Sequence, residues 1–168
     1  MPTSRRGVFS LAALLIGGGL LTGCTRQEYP GAKRYAISGK VTCNGIPIDA
    51  GVISFRPNDE KVGRLSGGDI VNGVYTVEEP KGPTAGEYRV EILWHKATGK
   101  QYPDPTGSGL MYDIRVQVLP PKFHSNSTTV VQVGDPKASF DFNLEVPEAE
   151  IERTLKSQAK AVGTPGDR

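Results

Sequence analysis

Two histidines and two cysteines are the side chains of this 168-residue sequence with the most obvious potential for chemistry. A hydrolase needs a nucleophile, a base and an orienting group that converge in space. His95 falls on the outward face of a predicted strand and His124 lies in a polar loop, so neither has such a setting. The sequence has no Gly-x-Ser-x-Gly motif, no zinc-ligand spacing and no calcium-loop spacing. We therefore predict no catalytic residues, no metal and no cofactor, and a hydrolase is the least favoured alternative.

The first cysteine, Cys24, ends a Leu-Thr-Gly-Cys sequence at residues 21–24. Basic residues followed by an apolar run over residues 7–21 are typical of a secretory signal peptide. The run is shorter than the roughly 20 residues that span a bilayer, which disfavours an uncleaved membrane helix. The tetrapeptide resembles the lipobox of bacterial lipoproteins, and this implies cleavage between Gly23 and Cys24 and lipidation of the Cys24 sulfur. We expect an exported protein, lipid-anchored to a bacterial membrane on the periplasmic side or at the cell surface.

Signal cleavage changes both the charge and the cysteine count. Because Arg5 and Arg6 lie in the signal, the 20 basic residues become 18, equal to the 18 acidic residues. A neutral chain without a basic face is not expected to bind nucleic acid. A lipidated Cys24 leaves Cys43 without a partner, which predicts a buried free thiol. A Cys24–Cys43 disulfide is the competing interpretation.

Apolar and polar residues alternate with a period of two from residue 35 to about residue 146. Two Asn-Gly pairs, at residues 44–45 and 72–73, predict tight hairpin turns. The pattern predicts an all-β fold, an antiparallel sandwich of seven or eight strands, with a small barrel as the alternative. The predicted strands cover residues 35–43, 52–56, 69–71, 74–78, 87–95, 113–119, 128–133 and 139–146.

Four segments make up the predicted domain organisation. Residues 1–23 form the signal peptide, 24–34 a polar tether, 35–146 the β-sandwich and 147–168 a C-terminal tail. The tail has acidic residues before basic ones and a thin apolar stripe, which predicts a marginal helix over residues 148–162.

A Gly- and Pro-rich stretch at residues 96–109 predicts a long loop, and long loops often carry function. Trp94, just before it, is expected in the core. Exposed aromatic side chains in or beside loops can bind ligands on a rigid scaffold. The candidate ligand-binding residues are Tyr102, Asp104, Tyr112 and Phe123.

Several short runs together resemble the carboxypeptidase-regulatory-like, transthyretin-like (prealbumin-like) domains. The runs are residues 37–48, 51–55, 72–75, 83–90, 98–100, 103–105 and 119–123. With the lipobox, they are similar to planctomycete lipoproteins that carry this domain. The resemblance implies a seven-stranded sandwich on the envelope side of a membrane, and it implies no established activity.

Two chemistries found in similar folds do not fit this sequence. A branch that hydrolyses 5-hydroxyisourate ends in Tyr-Arg-Gly-Ser, whereas this chain ends in Thr-Pro-Gly-Asp-Arg. Related surface domains form a Lys–Asn isopeptide bond between the first and last strands, where Lys40 and Asn143 lie here. Both residues fall on outward faces, so we do not expect this cross-link.

The leading functional hypothesis is a non-enzymatic, lipid-anchored cell-envelope β-sandwich with a structural or protein-interaction role. Its expected partners are the membrane, through the anchor on Cys24, and an envelope protein or glycan. The alternative is a surface module that binds a ligand or glycan through residues 96–112.

Overall fold

A computed structural model describes residues 31–61, 63–134 and 137–162 of the chain, and the unit that begins at Ala32 is mostly antiparallel β-sheet. The predicted signal peptide and Cys24 lie outside these described residues. Ten strands and one α-helix are found within them. They are β1 (Ala36–Cys43), β2 (Ile46–Pro47), β3 (Ala50–Pro57), β4 (Ser66–Val71), β5 (Val74–Val77), β6 (Gly86–Pro103), β7 (Met111–Gln117), β8 (Val130–Val133), β9 (Lys137–Ser139), β10 (Phe142–Leu144) and α1 (Glu148–Ala161).

The strands are hydrogen-bonded in the order β10-β1-β5-β4-β3-β6-β7, with β2 and β9 also paired to β1 and β8 to β6. The predicted all-β class is confirmed. Two pairs differ from the purely antiparallel expectation, since β9 and β10 both run parallel to β1. Alternation of side chains reveals which residues face inward but not the direction of a neighbouring strand, so the sequence pattern could not distinguish these pairs.

The sheet bends over on itself around one apolar core, which gives the fold its sandwich character. Phe55 of β3 lies against Phe140, which is between β9 and β10, with ring centroids 6.5 Å apart, although β3 and β10 are distant in the strand order. The Tyr75 hydroxyl donates a 2.8 Å hydrogen bond to the Phe140 carbonyl. Loss of hydration raises the pKa of Tyr75, so this hydroxyl stays protonated. The contacts with Phe55 and Tyr75 join the segment around Phe140 to the middle of the sheet.

Both Asn-Gly pairs form the tight turns that the sequence predicts. Asn44 and Asn72 have φ of 52° and 50°, and Gly45 and Gly73 have φ of 78° and 76°. Positive φ at both central positions is the geometry that matches the twist of a hairpin. These two turns contact each other, because Gly73 lies against Pro47.

Strand β6 extends to Pro103, so the prediction of a loop over residues 96–109 is wrong for its first eight residues. The sequence there contains Gly99 and Pro103, which normally interrupt strands. Gly99 instead has a φ of 80° within an irregularity of the β6–β7 ladder, and Pro103 is the last strand residue. The connecting loop therefore covers only residues 104–110.

The last predicted strand, over residues 139–146, is also corrected. It is two short strands, β9 and β10, separated by Phe140 and Asp141. The Asp141 carboxylate accepts the backbone N–H of Lys40 at 2.7 Å, and Phe140 donates its N–H to Ser38 at 3.0 Å. These bonds hold the interruption against β1.

The C-terminal helix is confirmed at residues 148–161, and it packs against β6 and β7. Ile151 is its buried residue, and Leu155 is partly buried against the core. The Lys100 ammonium donates a 3.1 Å hydrogen bond to the Ala159 carbonyl near the helix C-terminus, where a cation is favoured.

The register of the paired strands shows which residues lie at each of the two ends of the β-domain. At the end that we call the near end, an isolated bridge joins Arg34 to Thr84, and the Arg34 guanidinium donates to Gly82 at 2.7 Å. At the opposite, far end lie both Asn-Gly turns and the pairing of Gly51 with Trp94. Beyond Trp94, β6 continues in a ladder with β7, from His95 to Pro103, so these two strands project past the far end as a ribbon.

Candidate functional site

The candidate site is the hairpin end of the ribbon, residues 102–112, which we call the tip. Ladder pairing holds β6 and β7 together from His95 opposite Gln117 to Pro103 opposite Met111. Helix α1 contacts both strands of the ribbon. The tip is therefore an exposed hairpin end, and the ladder pairing and α1 hold the two strands that carry it.

Two tyrosines lie side by side on one face of the tip. Tyr102 and Tyr112 are direct cross-strand partners, with ring centroids 5.7 Å apart and an interplanar angle of 36°. Their exposed fractions are 37% and 44%. The structure thus brings together two of the predicted ligand-binding residues, although in paired strands rather than in a loop. Their role in binding stays a prediction.

Asp104 organises the loop between the two tyrosines. Its carboxylate accepts hydrogen bonds from the Thr106 backbone N–H at 3.0 Å, the Thr106 hydroxyl at 2.6 Å and the Ser108 hydroxyl. The bonds from Ser108 and then Thr106 lower the pKa of Asp104. Its backbone N–H also donates to Leu110 at 2.8 Å. Asp104 is therefore engaged in shaping the loop, which leaves less of its carboxylate for a ligand than the sequence suggests.

Two aliphatic side chains complete the tip, and the sequence analysis missed both of them. Leu110 is 58% exposed and Met111 is 53% exposed. They follow directly after Gly109, at the end of the connecting loop and the start of β7, where a polar residue is expected if the surface only faces solvent. That pair of apolar residues in a turn was the signal that could have identified them.

Phe123 lies elsewhere in the molecule. It ends a short 3₁₀ turn at Pro121–Phe123 and is partly buried against the core. The Lys122 ammonium lies 4.8 Å from the centre of the Phe123 ring. Packing and this cation–π contact account for the residue. The structure therefore does not group Phe123 with the tip tyrosines.

The base of the ribbon is joined to the sheet by one charged cluster. The Trp94 indole N–H donates to Asp49 at 2.7 Å, and the Arg115 guanidinium donates to the other Asp49 oxygen at 3.0 Å. Partial burial opposes ionisation of Asp49, but the bonds from Trp94 and Arg115 outweigh it and lower its pKa. Trp94 is buried, as predicted, and the Lys96 ammonium lies 4.9 Å from its ring centre.

The residues considered for chemistry are dispersed. His124 Nε2 lies 3.2 Å from the Leu119 carbonyl, and the carbonyl of His95 accepts from Arg115 at 2.8 Å. Asn143 accepts from the Thr42 hydroxyl and the Gly45 N–H, while Lys40 is exposed. Across the described ranges, no group of three or more His, Cys, Asp or Glu side chains could hold a metal ion.

Cys43 is a free, buried cysteine, as predicted from the sequence. It is 3% exposed and belongs to the apolar core cluster. Burial raises the pKa of the Cys43 thiol, partly offset by the charge of Lys96. The thiol is therefore a core side chain in its neutral form.

Comparisons with known proteins do not assign a family. No protein-family model and no curated protein matches the chain. One crystal structure, of a protein from Bacteroides ovatus described as a "putative adhesin", aligns with 16% identity over 76% of this chain and a TM-score of 0.35. This chain spans half the length of that protein, and a score this low does not establish a shared fold. Within the described residues, no helix is long and apolar enough to cross a membrane.

Proposed function

We propose that this chain is a non-enzymatic lipoprotein that holds a β-domain at a bacterial envelope membrane and presents the tip as a binding surface. The observation that carries the proposal is the exposed, largely uncharged tip at the end of a ribbon that projects from the far end of the sheet. The lipobox-like residues that end at Cys24 support the anchor. The runs that resemble carboxypeptidase-regulatory-like domains support a place among the lipoproteins of that type.

Chain connectivity supports an orientation with the tip away from the membrane. Arg34 is held at the near end, and the ten residues back to Cys24 can span at most ~36 Å when fully extended. Strand β6 runs from Gly86 at the near end to Pro103 at the tip, a distance of ~50 Å at the rise of a β-strand. The tether is thus shorter than the domain, which favours a tip that faces outward.

A non-enzymatic role is supported by how the reactive side chains are used. His124 contacts a backbone carbonyl, and Cys43 is buried and neutral. Asp49 is held by Trp94 and Arg115 at the base of the ribbon. None of these groups has the nucleophile and base arrangement that acyl transfer requires.

The orientation can be tested with the full lipoprotein reconstituted in vesicles that contain an acceptor-labelled lipid. A donor dye is attached at the tip in Ser108→Cys, and at the near end in the matched variant Lys33→Cys. We expect strong energy transfer from the near-end dye and weak transfer from the tip dye. Equal transfer from both positions would show that the tip lies at the membrane and would refute the proposal.

The lipid anchor itself needs a separate measurement. Mass spectrometry of the membrane-extracted protein should give an N-terminal peptide that begins at Cys24 and carries acyl lipid. Cys24→Ser should release the protein from the membrane fraction. An unmodified Cys24, or one in a disulfide with Cys43, would remove the anchor from the proposal.

Glycan binding is a second candidate, favoured by the paired tyrosine rings. Two exposed rings on one face can stack against the apolar face of a sugar. If this is the function, Tyr102→Ala and Tyr112→Ala should each abolish hits on a glycan array, while Phe123→Leu should retain them. An array without hits for the unmodified protein would count against this candidate.

A further inference from the structure

The domain exposes a second apolar cluster besides the tip, and it lies at the same far end. Ile46, Val71 and Val74 are 67%, 60% and 51% exposed. Val71 and Val74 are direct cross-strand partners that flank the Asn72-Gly73 turn. Ile46 follows the neighbouring turn and precedes Pro47, against which Gly73 lies. We call these three side chains the turn patch.

The ribbon spans the distance between the turn patch and the tip. From Trp94, which is opposite Gly51 at the far end, nine residues lead to Pro103, or ~30 Å of strand. If two copies face each other far end to far end with their ribbons antiparallel, the tip of each copy reaches the turn patch of the other. This arrangement has two-fold symmetry, so each apolar cluster is covered and the assembly closes.

The combined area favours this arrangement over contact through one cluster alone. The seven side chains of the tip and the turn patch expose on the order of 600 Å² per copy, near the ~800 Å² per partner of a standard interface. Either cluster alone offers about half of that area. Tyrosine and methionine are enriched and charged residues are depleted at the centres of protein interfaces, and the tip matches this composition.

The charges of the tip and the backbone of the ribbon both favour contact with a second copy through side chains rather than through strand pairing. No Lys or Arg lies between residues 101 and 112, and the Asp104 carboxylate is occupied by Thr106 and Ser108. The tip can therefore be covered without leaving an unpaired cation. Pairing along the ribbon edge is disfavoured, because the irregularity at Gly99 and the bond from Arg115 to the His95 carbonyl interrupt it.

From these observations we propose that the tip binds the turn patch of a second copy of this chain, in a symmetric head-to-head pair. The proposal rests on the proposed function, because it names the partner of the same tip. Both near ends point outward in such a pair. The two lipid anchors then lie at opposite ends of the assembly, and the protein connects two facing membrane surfaces.

The test uses the full lipoprotein in two populations of vesicles, with clustering followed by light scattering. Vesicles that carry the unmodified protein should cluster with one another, whereas adding protein-free vesicles as the second population should not raise the scattering further. Met111→Glu and Val71→Lys, each placed on both populations, should reduce clustering at least tenfold, because each buries a charge against apolar side chains. Leu65→Glu is the matched control, since Leu65 is 61% exposed but lies outside both clusters, and it should cluster normally.

A charge-swap mixture distinguishes loss of pairing from loss of folding. Vesicles with Met111→Glu mixed with vesicles with Val71→Lys should regain clustering, because glutamate then meets lysine and the second contact is unaltered. Absence of clustering by the unmodified protein, or absence of this rescue, would overturn the proposal. Recruitment of protein-free vesicles into the clusters, seen as additional scattering when they are mixed in, would also overturn it, since the tip would then bind lipid.

The two proposals can fail separately. If vesicles do not cluster but the tip dye remains far from the bilayer, the tip is presented outward and its partner is not a second copy. If the tip dye lies at the bilayer, both proposals fail.

Discussion

At the scale of single residues, Asp49 links the sheet to the base of the ribbon through its carboxylate. It accepts the indole N–H of Trp94 and pairs with Arg115, and so connects the segment after β2 to β6 and β7. Trp94 is 8% exposed, and a buried N–H without an acceptor is costly. The ion pair is different, because its side chains are 37% and 51% exposed and water screens it.

The two contacts of Asp49 can be separated by substitution. Asp49→Ala should lower the free energy of unfolding by about 1–3 kcal/mol, because the Trp94 N–H loses its acceptor. Asp49→Asn keeps an acceptor oxygen and loses the ion pair, so it should cost no more than about 0.5 kcal/mol. Urea denaturation of both variants measures the difference. Equal losses would mean that the ion pair, not the indole hydrogen bond, stabilises the base of the ribbon.

Asp49 also makes a prediction about pH. Its folded-state pKa is lowered, so its ionised form stabilises the fold above the ordinary aspartate pKa of about 3.9. This contribution is lost as the pH falls through the lower folded-state pKa. The stability difference between the native protein and Asp49→Asn should therefore be constant from pH 6 to pH 8 and vanish in acid. A difference that grows in acid would contradict the assignment.

At the scale of elements, the first hairpin turn clamps the end of the β-domain. The Asn44 side chain donates to the Val146 carbonyl at 2.7 Å and accepts the Val146 N–H at 3.1 Å. The parallel pairing of β1 with β10 ends at Cys43 opposite Leu144. The two Asn44 bonds extend this link to Val146, the residue before Pro147, after which α1 begins. The sequence predicts the turn from Asn-Gly alone, whereas this long-range role depends on a residue 102 positions away.

The clamp can be tested against the second turn, which has the same sequence. Asn44→Gly keeps the positive φ and removes both bonds to Val146, so it should cost about 1–2 kcal/mol of unfolding free energy. Asn72→Gly is the matched control and should be close to neutral, because its turn is retained. Thermal or urea unfolding measures both variants. If the two substitutions have the same effect, the clamp does not contribute to stability.

Element boundaries were predicted well where local chemistry determines them and poorly where pairing does. The Asn-Gly turns and the helix at Glu148–Ala161 follow from propensity and periodicity over a few residues. The extension of β6 through Gly99 to Pro103 does not, because β7 stabilises a strand that its own residues disfavour. The tyrosines were correctly selected as exposed aromatics, and their adjacency came from this ladder.

At the scale of the whole molecule, the core is one cluster that includes side chains from most strands and from α1. Cys43 is part of it, so its thiol reports on the integrity of the entire domain. Burial removes access to the sulfur and raises its pKa, and both effects suppress the reactive thiolate.

Maleimide labelling of Cys43 should therefore be slow in native buffer and should accelerate with denaturant in parallel with unfolding. The measurement uses Cys24→Ser, so that Cys43 is the remaining thiol of the chain. A second protein that also carries Ser108→Cys should label rapidly at the tip and serves as the reactive control. Rapid native labelling of Cys43 would show that β1 opens locally without global unfolding.

The sequence by itself determined which residues face inward, where the tight turns lie, that the fold is all-β and that Cys43 is buried, because these properties depend on neighbours within a few positions. Only the tertiary structure decided the parallel pairing of β9 and β10 with β1, the projection of the ribbon, and the grouping of Tyr102, Leu110, Met111 and Tyr112 at its tip. The tertiary structure also decided that Phe123 packs against the core and lies apart from that group. These features depend on contacts between residues far apart in the chain, and alternation along a strand carries no information about which strand lies beside it.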